Sequence, residues 1–330
     1  MEQGHLVNQI RNSKLAGNNT LHVIGVIQNA VRYHSRYRLF RQWVKHMLES
    51  ENVVVHVVEA TYGDRAPECA PENNEYNYVQ VKTSSEIWLK ENLINIAVQN
   101  SLPADWKYMA WIDCDITFRD PNWAQAAVHQ LQHYNIIQPW SDAVDLDFYG
   151  AIHGHWKSFG SLCATRKKMW HGKGHNGYDY AHTGYAWACN RYWYSNVQPV
   201  GGLIPWCIVG AGDHHMAWAC IGKINSTIHQ GVVPGYFAAC EAWQARAQFA
   251  CAGLVGFLPG RIEHHHHGPK TRRGYWSRWD IIIKNKFDPQ TDIAYDSQGV
   301  VVLCGSNKYA IEHDIMMYNR QRQEDSIESY

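Results

Sequence analysis

The chain has 330 residues, 45% of them hydrophobic and 18% charged, and its 30 basic and 30 acidic side chains cancel. That length buries a substantial core, as one large α/β domain or two small ones, and zero net charge excludes a globally electrostatic attachment to nucleic acid or membrane while leaving local patches open. The excesses are 15 Trp, 19 Tyr and 20 His, rings that suit stacking on sugars and bases but serve equally as core material.

The nine cysteines are odd in number, scattered and without a Cys-x-x-Cys pair, which predicts free thiols in a reducing compartment rather than a zinc ribbon or disulfide frame. Residues 1–19 are polar with no apolar h-region, and no 18-residue apolar run follows. The expectation is a soluble cytoplasmic protein with no membrane anchor and no obligate protein partner.

Leu21 to Ile27 reads as a strand that passes through Gln28 and Asn29 into a helix over 33–48, with Tyr37, Phe40, Val44 and Met47 on one face. Val53 to Val58 is a second strand ending in Glu59. Strand, helix, strand at this spacing predicts a parallel α/β unit whose ligand site lies beyond the strands' carboxyl ends, where Gln28, Asn29 and Glu59 sit. Residues 63–77 read as an exposed loop, 78–81 as a strand and 85–99 as a capped amphipathic helix.

The apolar run Tyr108 to Phe118 carries Asp113 and Asp115, and reads as a buried strand that delivers two acids to the edge of a sheet. At i and i+2 of a strand they would point to one side and share a divalent cation, or divide a cation and a sugar hydroxyl; a turn cap is the alternative the residues leave open. A helix follows Asp120-Pro121 to about Tyr134, then a strand at 135–138. Residues 141–196, rich in Gly, His, Tyr and Trp, read as long loops lining a cleft, with a patterned run at 182–188.

Gly210-Ala211-Gly212 then sets Asp213 at the start of a helix, as a cap or as a site acid. Another helix is predicted over 236–250 and a strand over 255–262, leading into His264-His265-His266-His267. The run is internal and joined to patterned sequence on both sides, unlike an expression tag. Lys270, Arg272, Arg273 and Arg278 supply fixed cations able to meet a diphosphate, or merely a solvated basic face. The segment 286–330 reads as a small appendage whose end, from Arg320, frays, and 1–19 as an N-terminal extension of a single domain.

With Asp113-Cys114-Asp115, Gly210-Ala211-Gly212-Asp213 and the histidines on the page, the chain over about residues 20–285 resembles the GT-A glycosyltransferases. The motif order is similar to that of the β-1,4-galactosyltransferase group, and Trp88-Leu89-Lys90-Glu91-Asn92, Gly212-Asp213-His214-His215-Met216 and the His-rich run resemble phage-encoded family 2-type enzymes. Where that group has a cluster of acids, this chain keeps only Asp213 ahead of His214 and His215. The resemblance implies an α/β fold with a Rossmann-like, mostly parallel sheet flanked by helices.

It further implies a UDP- or GDP-sugar donor against Gln28, Asn29, Glu59, Trp88, Lys90 and Asp113, with Lys270, Arg272 and Arg273 on its diphosphate. A Mn²⁺ or Mg²⁺ ion is expected on Asp115, with Asp113 shared between metal and ribose, and on a histidine of the run, named as His265 and His267. Asp213 is the expected base, with His214 or His215 in reserve, and Tyr185 and Trp187 face the acceptor. The acceptor implied is a hydroxymethylated pyrimidine in DNA, its phosphates tracked by Lys157, Arg166, Lys167, Lys168 and Lys173, or else a carbohydrate. A glycan-binding module without turnover and a His/Asp metal hydrolase are the readings from other classes.

Overall fold

The computed structural model describes residues 19–165, 169, 180–197 and 202–328. The expectation of a mixed α/β fold holds. Its strands among the described residues are, in chain order, β1 Leu21–Gln28, β2 Val53–Tyr62, β3 Asn77–Thr83, β4 Tyr108–Ile112, β5 Ile116–Phe118, β6 Ile136–Gln138, β7 Asp142–Leu146, β8 Ile152–Ser158, β9 Ala181–His182, β10 Ala186–Asn190, β11 Gly256–Phe257, β12 Arg261–His264, and β13 Ile293–Tyr295 and β14 Val301–Leu303, which pair only with each other. Seven of them form one sheet in the order β11-β6-β10-β4-β1-β2-β3, with β4, β1, β2 and β3 parallel and β10 antiparallel between β4 and β6. A second sheet runs β5-β12-β7-β8-β9.

Strand alternation divides the apolar residues between two cores. Leu21, Val23 and Val57 join Tyr37, Phe40, Trp43 and Met47 of the helix His34–Glu49 on one face. Ile24 and Val58 join the helices Lys90–Asn100, Gly212–Cys220 and Pro234–Cys251 on the other.

Three departures from the sequence reading position the site. The run 108–118 is not one strand: β4 ends at Ile112, the chain turns through Asp113 to Asp115, and β5 belongs to the second sheet. The two acids therefore sit where the chain changes sheets and face different neighbours. The helix expected from Ser85 begins only at Lys90, because the side-chain amide of Gln28 spans the Ile87 carbonyl and the Leu89 N–H, and Trp88 N–H donates to Ile208 O at 2.7 Å. Residues 141–196, expected as loops, contain β7, β8 and β10, whose short, mixed polar-aromatic alternation hid them.

Residues 320–325, expected to fray, are instead stitched down. Asp325 accepts from the N–H groups of His34 and Ser35 at 2.9 and 2.7 Å, giving the first helix the acidic cap that its own sequence lacks. Glu324, 1% exposed, pairs with Arg36 and Arg322, and Tyr318 donates its hydroxyl hydrogen to Arg273 O at 2.8 Å. Of the expected extension 1–19, only Asn19 lies within the described residues. All nine cysteines are unpaired, and no helix among the described residues is long and apolar enough to cross a membrane.

Candidate active site

A cavity of about 1300 Å³ opens at the carboxyl ends of β1 and β4, between the sheet junction and the segments 210–214, 226–230 and 264–279. One end of it is a metal-type cluster. Asp115, His264 and His267 each bring one ligand atom to within 4.8 Å of the others. Asp115 Oδ2 lies 3.0 Å from His267 Nε2 and 3.8 Å from His264 Nε2, and the two Nε2 atoms are 3.3 Å apart.

Strand geometry chooses these histidines. His264 closes β12 pointing inward, while His265 points to the opposite face, where its Nε2 meets Thr117 Oγ1 at 2.8 Å. The expected ligand His265 is thus corrected to His264, and His267 reaches the cluster past the turn. Asp115 Oδ1 is buried without any hydrogen-bond partner, and burial lowers His264 to a pKa of about 4, so its ring is neutral at pH 7. A carboxylate with an orphaned oxygen beside two imidazole nitrogens is a donor set that fits a first-row divalent cation. Burial alone would raise Asp115, but His264, His267 and Arg273 outweigh it and hold the acid well below the carboxylate range.

Fixed cations flank the cluster. Arg273 Nη2 is 3.0 Å from His267 Nε2, and Lys270 pairs with Asp145 while its ammonium stands 4.8 Å over the Trp156 ring. Arg272 instead turns outward to Glu328 at the surface, and takes no part in lining the cavity.

A second cluster lies across the cavity floor. Asp113 pairs with Lys90, not with the metal-type group. Burial works against the Lys90 charge, but Asp113, then Asp213 and Glu91, raise its pKa above the ordinary value. Burial raises Asp113 against the pull of Lys90. For Asp213 burial is outweighed by Lys90, His214, Arg278 and His182, which keep it below the usual carboxylate range. Its carboxylate hangs directly over Gly184, where an added Cβ would come to 2.9 Å of Oδ2, and the helix that carries it starts from Ala211 in the left-handed region at φ 81°. Glu91 is 3% exposed, and burial lifts it to about 7.

Several expected site residues serve the scaffold. Glu59 accepts from the backbone of Glu68 and Cys69 and from Tyr78 Oη, which fastens the loop after β2 and turns the acid away from the cavity. Asn29 locks the turn into the first helix through two bonds to Tyr33, each 2.9 Å. Trp187 is buried beneath the floor, donating to Thr183 O at 2.7 Å. His215 is fully buried between Thr227 and Tyr236 and pushed down to about 3 by burial, which removes it as a reserve base.

Gln28, Trp88, Lys90, Asp113, Asp213 and His214 do line the cavity, as do Lys270 and Arg273. Tyr185 also lines it, but with its ring 4.9 Å from that of His264 and its hydroxyl donating to Asp145 at 2.9 Å, so it belongs to the metal end. Sequence reasoning missed Asp145, His182, Glu91 and Arg322 as site residues; Asp145 comes beside His264 only through the parallel pairing of β7 with β12, which no local pattern shows. Of the five cations expected to track DNA phosphates, only Lys157 lies within the described residues, and it pairs with Asp142.

No family model and no curated protein sequence matches the chain. Among solved structures it is similar to a mannosyltransferase from Pyrobaculum calidifontis in complex with GDP-Man and Mn²⁺, with 16% identity and a TM-score of 0.46 over 82% of this chain and 63% of that one. It is also similar to Drosophila β-1,4-galactosyltransferase 7 in complex with manganese, UDP-Gal and xylobiose, at 14% identity and a TM-score of 0.39 over 89% and 98% of the two chains. A third likeness is to the 4-diphosphocytidyl-2C-methyl-D-erythritol synthase of Anaerococcus prevotii, at 8% identity and a TM-score of 0.33 over 74% and 90%. These are remote likenesses among proteins of differing chemistry, and the functional reading rests on the geometry of the site.

Proposed function

We propose that the chain is a metal-dependent glycosyltransferase of GT-A type, moving a sugar from a nucleoside-diphosphate donor to an acceptor hydroxyl. The observation that carries this reading is the joining, in one cavity, of the Asp115, His264 and His267 triad with Lys270 and Arg273 on one side and an ionised Asp213 on the other. A lectin-like module needs no such division, and a two-metal hydrolase would want further acids at the triad, whereas Asp113 is committed to Lys90.

Asp115, His264 and His267 would hold a Mn²⁺ or Mg²⁺ ion, which as a Lewis acid offsets the charge that develops on the leaving nucleoside diphosphate. Lys270 and Arg273 meet the same phosphates as fixed charges. Trp88, its backbone held on both sides by Gln28, offers a ring to the base, and the Lys90 and Asp113 pair faces the donor's ribose. Asp213 accepts the proton of the acceptor hydroxyl, giving single displacement with inversion. Its lowered pKa keeps it ionised at neutral pH at some cost in basicity; the backbone N–H of His214 donates to Asp213 Oδ1 at 2.9 Å.

The acceptor favoured by the motif resemblance is a 5-hydroxymethylpyrimidine of DNA, and a carbohydrate hydroxyl is the rival; Trp156, Tyr275 and Trp276 at the cavity offer rings to either. The cellular setting proposed is cytoplasmic. The deciding experiment incubates the protein with a nucleotide-sugar panel, Mn²⁺ and either hydroxymethylcytosine DNA or oligosaccharides, followed by mass analysis. Transfer that is abolished by chelation is the expected result; hydrolysis without transfer to any acceptor, or full activity in chelator, would overturn the reading.

A further inference from the structure

A histidine ligand can turn either ring nitrogen to a cation, and the partner of the other nitrogen decides which one. Here the partner is supplied by strand register. β7 and β12 run parallel with Asp145 directly beside His264, so carboxylate and imidazole are neighbours before any side chain is placed. His264 Nδ1 lies 2.7 Å from Asp145 Oδ1, which leaves Nε2 facing Asp115 and His267.

Asp145 is only 1% exposed, and both of its oxygens are spoken for. Oδ1 also accepts from Tyr185 Oη at 2.9 Å, and Oδ2 accepts from Lys270 Nζ and from the Trp156 indole. Room for the carboxylate comes from Gly154, its cross-strand neighbour on β8, where a Cβ would stand 2.9 Å from Oδ2. An acid placed to fill space would not need a glycine opposite it, nor a lysine drawn from the cavity wall.

On the metal reading given above, we propose that Asp145 is a positioning residue with two duties. It fixes His264 in the tautomer whose Nε2 lone pair faces Asp115 and His267, and it holds the Lys270 ammonium at the cavity wall, where a donor's phosphates would meet it. Cation site and anion site thus share one buried carboxylate, and neither can shift without the other.

The test uses the full chain stripped with EDTA, with Mn²⁺ alone as the probe, titrated by electron paramagnetic resonance, and ¹⁵N spectra of the histidine rings. In the parent protein the His264 ring should carry its proton on Nδ1. Asp145→Asn should weaken Mn²⁺ binding about tenfold to a hundredfold and mix the His264 tautomers, while His265→Ala, on the other face of β12, leaves both as in the parent. If Asp145→Asn does not fold, Gly154→Ala, which presses on the carboxylate and removes no charge, takes its place, with weakened Mn²⁺ binding again expected. Mn²⁺ affinity within about twofold of the parent, with an unchanged His264 tautomer, sinks the proposal. A parent that binds no Mn²⁺ overturns the metal reading itself, a failure distinguishable from that of Asp145 alone.

Discussion

The two ends of the Asp113 to Asp115 turn make opposite electrostatic choices. At one end, Asp115 faces two histidines, one of them held neutral by burial, and keeps an oxygen without a partner. At the other, Asp113, Asp213 and Glu91 surround Lys90, a cation that belongs to the chain. The first cluster offers a carboxylate oxygen and two imidazole nitrogens that lie close enough together to converge on one ion. The second carries its own counter-charge and pushes its acids in opposite directions, Asp113 and Glu91 up and Asp213 down. Two residues of sequence separate a place for a borrowed charge from a place for a resident one.

The contrast can be broken first at Asp115. Asp115→Ala should abolish Mn²⁺-dependent transfer and Mn²⁺ binding together; retention of either shows that the borrowed charge sits elsewhere. Next, Asp213→Asn should cut turnover by about two to four orders of magnitude with donor and Mn²⁺ affinity kept, measured by single-turnover transfer and by titration. Third, Lys90→Met leaves three acids without their resident cation, and should cost about 1–3 kcal/mol in denaturant unfolding, the partial exposure of the pair keeping the loss below that of a fully buried one.

The smallest effect concerns Glu91. Its folded pKa of about 7 lies above the ordinary glutamate value of 4.5, so its contribution to stability is intact below pH 4.5 and is lost as pH rises through 7. Lys90, Asp113 and Asp213 face it; of the three only the lysine favours its ionised form, helped by a backbone hydrogen bond. Glu91→Gln should therefore flatten the pH dependence of unfolding between about pH 4.5 and 7, which chemical denaturation at several pH values will show. An unchanged slope would mean that Glu91 titrates like an exposed acid.

Local pattern carried the first part of the fold. The apolar runs of β1 and β2 and the amphipathic face of the helix between them are short-range signals, and they fixed the edge at which Gln28, Lys90 and Asp113 gather. The metal-type cluster was legible only as a set of candidates, because choosing His264 over His265 requires the inward face of β12, which depends on its pairing with β7. Glu59 and Asn29 sit where a ligand contact belongs by topology, and yet are consumed by backbone N–H groups and tyrosines that no local rule names. Arg322 and Glu324 were hidden for the same reason: polar residues after the last helix look solvated until Arg36 is found opposite them.

That last pairing bears on how the site comes into being. Arg36 and Glu324 are 288 positions apart, and Glu324 stands 3.6 Å from Nδ1 of His267. Closing so long a loop costs chain entropy, and the cost falls once the parallel strands have brought its ends together, so this contact is expected to form late. A molecule with its sheets complete but this contact unmade would show native-like circular dichroism and still lack one wall behind a metal-type histidine. In refolding, recovery of secondary structure should precede recovery of cation binding, so Mn²⁺ uptake works as a clock for the final stage of folding.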